Sequence, residues 1–336
     1  MDRRRTGATR RRFAPSLLVA TAICLVVALA SSTVPAGAQR APHGARHHAL
    51  LASGLGPESE AGAFASAIFN PAGSPPGANN WSCKPSAAHP YPVVLVHGTF
   101  GSMIDSFGSI SPQLANDGYC VFALDYGGPL SWLAPWFYGV NGIASSAQQL
   151  SSFVNKVLSS TGASKVDLVG HSQGGMMPRY YIDSLAGASK VNMLVALAPS
   201  NHGTSLDGIA TLIIDLGLEG LAVALLTPWC TACVQQVSGS SFLNSLNSGG
   251  GVVGSVKYVV IETKYDTVVT PYTSAWLTGS NVQNILLQNQ CGQDYSDHLS
   301  IIYDSNALQD IENALGANSP TFHPSCSYVG PLFGNN

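Results

Sequence analysis

The run Lys165-Val-Asp-Leu-Val-Gly170-His171-Ser172-Gln173-Gly174-Gly175 decides the fold. The residues up to Gly170 are mostly β-formers, and they predict a short buried strand. Gly170 to Gly174 match the pattern G-x-S-x-G, and a helix is predicted to begin just after Ser172. A serine on such a sharp strand-to-helix turn projects its hydroxyl above the edge of the sheet. Ser172 is therefore the predicted nucleophile.

Apolar runs of the same kind alternate with helical patterns on both sides of this motif. Strands are predicted over 92–97, 120–125, 165–170, 191–198, 256–263 and 282–287. A helix is predicted over 143–158, where an apolar residue recurs on one face every three or four positions, and a last helix over about 305–315. This alternation indicates an α/β protein whose central sheet is mostly parallel and carries helices on both faces.

A serine hydroxyl is a weak nucleophile and needs a base that a carboxylate orients. On an open sheet with this turn, the order along the chain is serine, acid, histidine. His298 follows the sixth strand and directly precedes the last helix, so it is the predicted base. His202 and His323 also follow Ser172. His323 is predicted to be structural; for His202 a loop histidine is the favoured interpretation and a residue that lines the site is the alternative.

The acid predicted to orient the base is Asp266. It stands just past the fifth strand, at the carboxyl edge of the sheet, where ligands bind in open α/β sheets. Glu262 lies inside that strand and is expected to point into an adjacent layer. Asp294 and Asp297 are too close in sequence to His298 to come from a different strand end.

Two backbone amides are predicted to stabilise the oxyanion of a tetrahedral intermediate. One is the N–H of Gln173, directly after the nucleophile. The other comes from the loop His97-Gly98-Thr99-Phe100-Gly101, where Thr99 is the best candidate and its hydroxyl is a further candidate donor. His97 is expected to hold this loop by hydrogen bonds and not to act as a base.

These motifs occur in one order from about 91 to 299 and resemble the secreted class 2 lipases of bacteria, and more distantly fungal lipase B. The likeness is carried by His97-Gly98-Thr99, the motif around Ser172, Ala198-Pro-Ser-Asn-His-Gly-Thr204, Tyr265-Asp-Thr-Val-Val-Thr-Pro271 and Asp297-His298. The resemblance implies an α/β-hydrolase fold and an extracellular esterase or triacylglycerol lipase that needs no organic cofactor. No metal site is predicted.

Two apolar clusters follow carboxyl ends of predicted strands and are therefore expected on the same edge as Ser172. One contains Trp132 and Trp136, and the other, 209–226, contains Leu218 and Leu221. We interpret the four named residues as walls of an acyl-chain site, because each buried methylene contributes about 0.8 kcal/mol. Two interpretations of the second cluster stay open: a core helix, or part of a cap or lid over 205–240.

The first 38 residues read as a secretory signal peptide. Six arginines precede an apolar run from Phe13 to about Ala30, and Ala36-Gly37-Ala38 resembles a cleavage site. The arginine-rich beginning of this segment resembles a twin-arginine export signal, and an ordinary export signal is the alternative. A retained membrane anchor is disfavoured because the apolar run is short for a membrane-spanning helix. Residues 39–80 are predicted to be a flexible leader rich in Ala, Gly and Pro, and 81–336 the catalytic domain.

Charge and cysteine content narrow the class of protein further. Removal of residues 1–38 takes away six arginines and one aspartate, and leaves nine basic and seventeen acidic residues, a net charge near −8 that disfavours nucleic acid as a partner. The six cysteines that remain indicate disulfides in an exported protein, and they allow fifteen pairings. The protein is also expected to be a monomer without a stable membrane span. Proximity in sequence favours 83–120, 230–233 and 291–326, although Cys230-Thr-Ala-Cys233 is also typical of a redox pair.

Three functional classes remain open at this point. The leading prediction is hydrolysis of acyl esters, including lipids at a lipid–water interface, and a short-chain esterase is the narrower form of it. The second is transfer of an acyl group to an acceptor other than water, which the same residues support. The third is a non-enzymatic cell-surface binding protein, which the complete Ser-Asp-His set disfavours.

Overall fold

A computed structural model describes residues 59–130, 135–216 and 230–332 of the chain. Six parallel strands form one sheet in the order β2-β1-β3-β4-β5-β6. They are β1 (Val93–Val96), β2 (Val121–Leu124), β3 (Val166–His171), β4 (Val191–Leu197), β5 (Lys257–Glu262) and β6 (Val282–Leu286). All six predicted strands are confirmed, with ends that agree to within one residue.

Helices connect the strands. The α-helices are α1 (Glu60–Phe69), α2 (Met103–Ser106), α3 (Ile110–Asn116), α4 (Ile143–Thr161), α5 (Gln173–Ser184), α6 (Leu206–Asp215), α7 (Thr231–Gln235), α8 (Ser241–Asn247), α9 (Leu287–Gln290) and α10 (Ser305–Leu315). Short 3₁₀ turns cover Gly187–Ser189, Tyr272–Ala275 and Ser300–Tyr303. The predicted helices after 143, after Ser172 and over 305–315 are all present.

The strand order places one crevice at the carboxyl edge of the sheet. The chain runs from β1 outward to β2, then returns to the other side of β1 to form β3 and continues in that direction. Loops after β1 and β3 therefore leave the sheet beside each other, and ligands bind at such a switch point in open α/β sheets.

Both faces of the sheet are covered, as predicted. On β1, Val94 and Val96 belong to one buried cluster, while Val93 and Leu95 belong to the other, which is the alternation that a strand imposes. The first cluster includes apolar side chains of α4 and α5, and the second includes side chains of α3 and α10. The predicted α/β architecture is confirmed.

The stretch from 59 to 80 differs from the flexible leader that its composition predicts. The hydroxyl of Ser59 accepts a hydrogen bond from the Gly62 amide and caps α1, whose Ala63 and Ala67 are fully buried. Asn79 exchanges two side-chain hydrogen bonds of 3.0 Å with the backbone of Ala123, so the segment is attached to the outer edge of β2. An alanine-rich composition is typical of a linker, but alanines four residues apart lie on one face of a helix. The signal peptide and residues 39–58 lie outside the described residues.

Three disulfides join Cys83 to Cys120, Cys230 to Cys233 and Cys291 to Cys326. This confirms the pairing that proximity favours. The last disulfide closes a 35-residue separation around the His298 loop. Across the described ranges, none of the helices has the length and apolarity that a membrane span requires.

Candidate active site

Ser172 occupies a sharp turn between β3 and α5. Its backbone has φ 55° and ψ −121°, a conformation that costs energy for a residue with a side chain and that recurs at functional turns. Two glycines permit the turn: a Cβ on Gly170 would lie 1.9 Å from the Gly174 carbonyl oxygen, and one on Gly174 would lie 2.0 Å from the Val96 oxygen. The G-x-S-x-G spacing is thus a steric requirement of the packed turn.

The structure brings together the three residues predicted as nucleophile, base and acid. His298 Nε2 lies 3.0 Å from Ser172 Oγ, and His298 Nδ1 lies 2.8 Å from Asp266 Oδ2. The other carboxylate oxygen of Asp266 accepts the amides of Val268 and Val269, each at 2.7 Å. With Nδ1–H donated to Asp266, the neutral imidazole presents Nε2 as an acceptor for the proton on the Ser172 hydroxyl.

The loop that carries His298 is fixed from both sides. Asp297 Oδ1 accepts hydrogen bonds from the backbone and hydroxyl of Ser300, both at 2.9 Å, and Oδ2 accepts the amide of Leu332 at 3.0 Å. His171 Nε2 donates to the carbonyl of His298 at 2.8 Å. Burial, followed by the nearby His298, lowers the pKa of His171 to about 3, so His171 stays neutral at neutral pH.

The two amides predicted to stabilise an oxyanion lie at the crevice between the β1 and β3 loops. In the described part of the chain, neither the Thr99 nor the Gln173 amide donates to a protein acceptor. The Thr99 hydroxyl, a candidate third donor, instead donates to Gln173 Oε1 at 2.6 Å. That bond ties the β1 loop to the residue that follows the nucleophile.

Gln236 completes this link and was not singled out by the sequence. Its Nε2 donates to Thr99 Oγ1 at 2.8 Å and lies 3.1 Å from Gln173 Oε1, while its Oε1 accepts from Ser200 at 2.8 Å. A polar Gln235-Gln236 pair reads as solvent-exposed, and only the folded structure buries the second glutamine. Gln236 therefore couples the loop after β1, the turn after β3 and the loop after β4.

The role predicted for His97 agrees with its contacts. Nδ1 donates to the carbonyl of Gly98 at 2.8 Å, and Nε2 accepts the Tyr126 amide at 3.3 Å, which together require the neutral Nδ1–H form. Burial lowers the pKa of His97 to about 4. The Tyr126 hydroxyl also donates to the His97 carbonyl at 2.6 Å, so this pair fixes the start of the oxyanion loop.

The other polar candidates make contacts of their own with residues other than Ser172. His202 is exposed and contacts the Ser274 carbonyl through Nδ1 at 3.0 Å, and His323 is exposed in the tail. Asp294 is fully buried and accepts hydrogen bonds from Ser296 and Asn306. Within the described ranges, no group of three or more His, Cys, Asp or Glu is placed to hold a metal ion.

The predicted substrate-binding residues are only partly within the described structure. Trp136 packs against the apolar cluster that includes α4 and α5, with its ring 5.9 Å from that of Phe137. Trp132, Leu218 and Leu221 lie outside the described residues. In α6, Leu212 and Ile213 are buried, as a core helix requires, whereas Ile214 is exposed.

Asp215 is the last residue of α6. Burial and the charge of Asp297 raise the pKa of the Asp215 carboxyl, and His298 opposes that shift, so the carboxyl lies within electrostatic reach of the site.

Comparison with known proteins identifies the family of the chain. Residues 90–310 match the family model described as lipase (class 2). A triacylglycerol lipase of Pseudarthrobacter phenanthrenivorans is 37% identical over 99 residues, which is 28% of each chain. A triacylglycerol lipase of Vibrio cholerae is 31% identical over 147 residues, covering 40% of this chain and 44% of that one. The chain thus aligns with less than half of the length of these two curated relatives.

Solved structures share the fold at low sequence identity. Lipase B of Aspergillus fumigatus superposes with a TM-score of 0.55 and 21% identity, covering 83% of this chain and 63% of that one. The mature lipase BlEst2 of Bacillus licheniformis gives a TM-score of 0.51 and 18% identity, covering 69% of this chain and 94% of that one. With the α/β-hydrolase fold shared and the family model matching well over half of its length, the chain belongs to the class 2 lipases.

Proposed function

We propose that this protein is an exported serine hydrolase that cleaves carboxylic esters, including triacylglycerols, with Ser172 as nucleophile, His298 as base and Asp266 as the orienting acid. The observation that carries the proposal is the continuous hydrogen-bonded series from Ser172 Oγ through the His298 ring to Asp266. Relatives named as triacylglycerol lipases support the substrate class.

In the first half of the reaction, Ser172 Oγ attacks the ester carbonyl while His298 Nε2 takes the hydroxyl proton. Asp266 holds the opposite ring nitrogen and stabilises the imidazolium that forms. The carbonyl oxygen becomes an oxyanion, which the amides of Thr99 and Gln173 stabilise. The tetrahedral intermediate collapses, His298 returns the proton to the leaving alcohol, and an acyl-enzyme remains on Ser172.

In the second half, water replaces the alcohol. His298 takes a proton from the water as its oxygen attacks the acyl carbon, and the same two amides stabilise the second oxyanion. Collapse releases the fatty acid and returns the proton to Ser172. An alcohol that enters in place of water gives acyl transfer with the same residues.

Export is the second part of the proposal. The described disulfides are typical of oxidising compartments, and the first 38 residues have the pattern of a cleaved signal peptide. The catalytic domain then extends from the packed segment near 59 to the C-terminal region. Fractionation of a culture that produces the tagged chain tests this part, with activity in the medium as the expected result.

An acyl chain-length series tests the proposed activity. We expect kcat/KM to rise from acetyl esters to chains of about six to ten carbons, because each methylene that becomes buried contributes about 0.8 kcal/mol. Emulsified triglyceride is expected to be hydrolysed as well. The measurement compares nitrophenyl esters of increasing length with a titrated triglyceride emulsion, and Ser172→Ala serves as the inactive control.

Each alternative has its own signature in that experiment. A maximum at acetyl with no triglyceride turnover would make the protein a short-chain esterase. Faster transfer to dilute glycerol than to water would make it an acyltransferase. The paired changes Leu218→Ser and Leu221→Ser are expected to lower the long-chain rate more than the acetyl rate, and an equal loss on both would contradict an acyl-chain wall.

Replacement of Gln236 by leucine is expected to lower kcat about tenfold with little change in KM. The change removes the donor that Thr99 and Gln173 share, and a hydrogen bond lost from buried partners costs about 1–3 kcal/mol. The Thr99 amide binds the transition-state oxyanion more strongly than the ground-state carbonyl. A loop that positions this amide less well therefore lowers kcat more than it changes KM. Steady-state kinetics on a soluble ester measure both constants.

Ser245→Ala is the matched control, because Ser245 is exposed on α8 in the same part of the chain. It is expected to keep both constants. A Gln236→Leu enzyme with unchanged kcat would remove Gln236 from the positioning of the oxyanion loop.

A further inference from the structure

Glu262 is a buried carboxyl with no part in the chemistry above. It is the last residue of β5, four positions before Asp266, and its side chain is 0% exposed. Oε1 accepts the amide of Thr263 at 2.8 Å. No hydrogen-bond donor among the described residues reaches Oε2. An ionised carboxyl group in such a place would lose its hydration with a single amide in return.

The turn after β5, in which the Asp266 amide donates to the Thr263 carbonyl at 3.2 Å, returns Asp266 to this strand end, and its carboxyl comes within side-chain hydrogen-bonding range of Glu262. Two ionised carboxylates at that range repel each other and offer acceptors only, so one proton must lie between them. Asp266 already accepts from two backbone amides and from the His298 ring, which leaves it no oxygen without a donor. Glu262 accepts from one amide, so the proton belongs on Glu262.

The pKa of Glu262 supports this assignment. Burial raises it well above the usual value for a glutamic acid, and the charge of Asp266 raises it further, while the Thr263 amide opposes the shift. Asp266 is the ionisable group that faces Glu262 directly, and His298 lies behind it. The buried pair therefore carries one negative charge at neutral pH, on the side that faces His298.

We propose that Glu262 is a positioning residue for the reaction: as a neutral acid it donates its O–H to the Asp266 carboxylate and fixes the rotation of that group towards His298 Nδ1. The inference rests on the proposed roles of Ser172, His298 and Asp266. With Val268, Val269 and His298 it gives Asp266 a fourth donor, so the carboxylate has no freedom to turn away from the imidazole.

The arrangement has a consequence at alkaline pH. When Glu262 loses its proton, the donor disappears and a second negative charge stands beside Asp266. The two carboxylates then repel, and the Asp266 carboxylate is pushed out of its alignment with the His298 ring. We expect kcat/KM to fall at alkaline pH as Glu262 ionises, while KM for a neutral ester stays nearly constant.

Two substitutions at Glu262 distinguish a hydrogen-bond donor from a side chain that only fills space. Glu262→Gln keeps the shape, accepts the Thr263 amide through Oε1 and donates an N–H to Asp266, but it has no proton to lose. We expect its kcat within about threefold of the parent and no fall at alkaline pH. Glu262→Met keeps the volume without a donor, and we expect kcat to fall about ten- to a hundredfold, as loss of a hydrogen bond to a charged group implies. Glu312→Gln on α10 is the same substitution away from Asp266 and is the control.

The outcomes decide the proposal clearly. Equal losses in Glu262→Gln and Glu262→Met would show that the donor is not what matters, and parental kcat and pH profile in both would remove Glu262 from the mechanism. If Glu262→Met does not fold, the alkaline limb of Glu262→Gln still decides. Infrared difference spectra provide a readout without turnover. We expect a protonated-carboxyl band at neutral pH in the Ser172→Ala protein that is lost in the double variant Ser172→Ala/Glu262→Gln. Its absence would overturn the proposal, whereas failure of the Ser172 assignment would appear separately as retained activity in Ser172→Ala.

Discussion

Replacement of Ser172 by alanine is expected to lower kcat for a soluble ester about 10⁵- to 10⁶-fold. The change removes the nucleophile, and only the oxyanion amides and substrate binding remain to accelerate attack by water. His298→Ala is expected to cost about as much, because the hydroxyl at 3.0 Å then has no base. The double variant is expected to be no worse than either single one, since the two residues act as a unit. Active-site titration and steady-state rates on purified protein give these values.

His202→Ala provides the matched control for the histidine change. His202 is exposed and touches the Ser274 carbonyl, so its loss is expected to leave kcat nearly unchanged. Either Ser172→Ala or His298→Ala with activity within tenfold of the parent would refute the assignment. A serine-directed organophosphate that modified a peptide without Ser172 would do the same.

Gly174→Ala is expected to have the largest effect on stability, about 3 kcal/mol or more of unfolding free energy. The new Cβ would meet the carbonyl oxygens of Val96 and His97 at 2.0 and 2.3 Å. Both are backbone atoms of the sheet and the oxyanion loop, so no side chain can rotate away to relieve the clash. Helix α5 would have to shift away from β1, and chemical denaturation monitored by circular dichroism measures the cost.

Gly249→Ala is the control, because no atom lies within 4 Å of a Cβ at that position. Its unfolding free energy is expected to stay within about 0.5 kcal/mol of the parent. If Gly174→Ala unfolds at the same denaturant concentration as Gly249→Ala, the close packing of the turn against β1 is wrong.

The sequence predicts the sheet and the positions of the candidate triad for two reasons. The strands and the turn at Ser172 are encoded by short local stretches, and the acid and the base follow the serine in a fixed order along the chain. Each strand is a short apolar run, and the turn at Ser172 is encoded within five residues. The chain order on such sheets then restricts the choice of acid and base to strand ends after Ser172. Asp266 and His298 meet those conditions, and the structure places both within hydrogen-bonding distance of their expected partners.

The residues that the sequence does not reveal depend on contacts distant in the chain. Gln236 lies 137 residues from Thr99, and nothing in its neighbourhood marks it as buried. Glu262 is fully buried on its strand, but its pairing with Asp266 arises only from the turn after β5. Helix α1 is not predicted because the alanine-rich composition of this segment suggests a linker. The spacing of the buried residues Ala63 and Ala67 is nevertheless typical of a helix.

The distribution of the site along the chain has a consequence for how activity arises during folding. Ser172 and His298 are 126 residues apart, and β4, β5 and β6 must pair in register before they can meet. Contacts between such distant residues form late, because the entropy of closing the intervening loop must be overcome first. Partly folded chains therefore contain a serine and a histidine but no enzyme. On the proposed function, a chain that has not yet folded has no esterase activity, and recovered turnover reports the last stage of refolding.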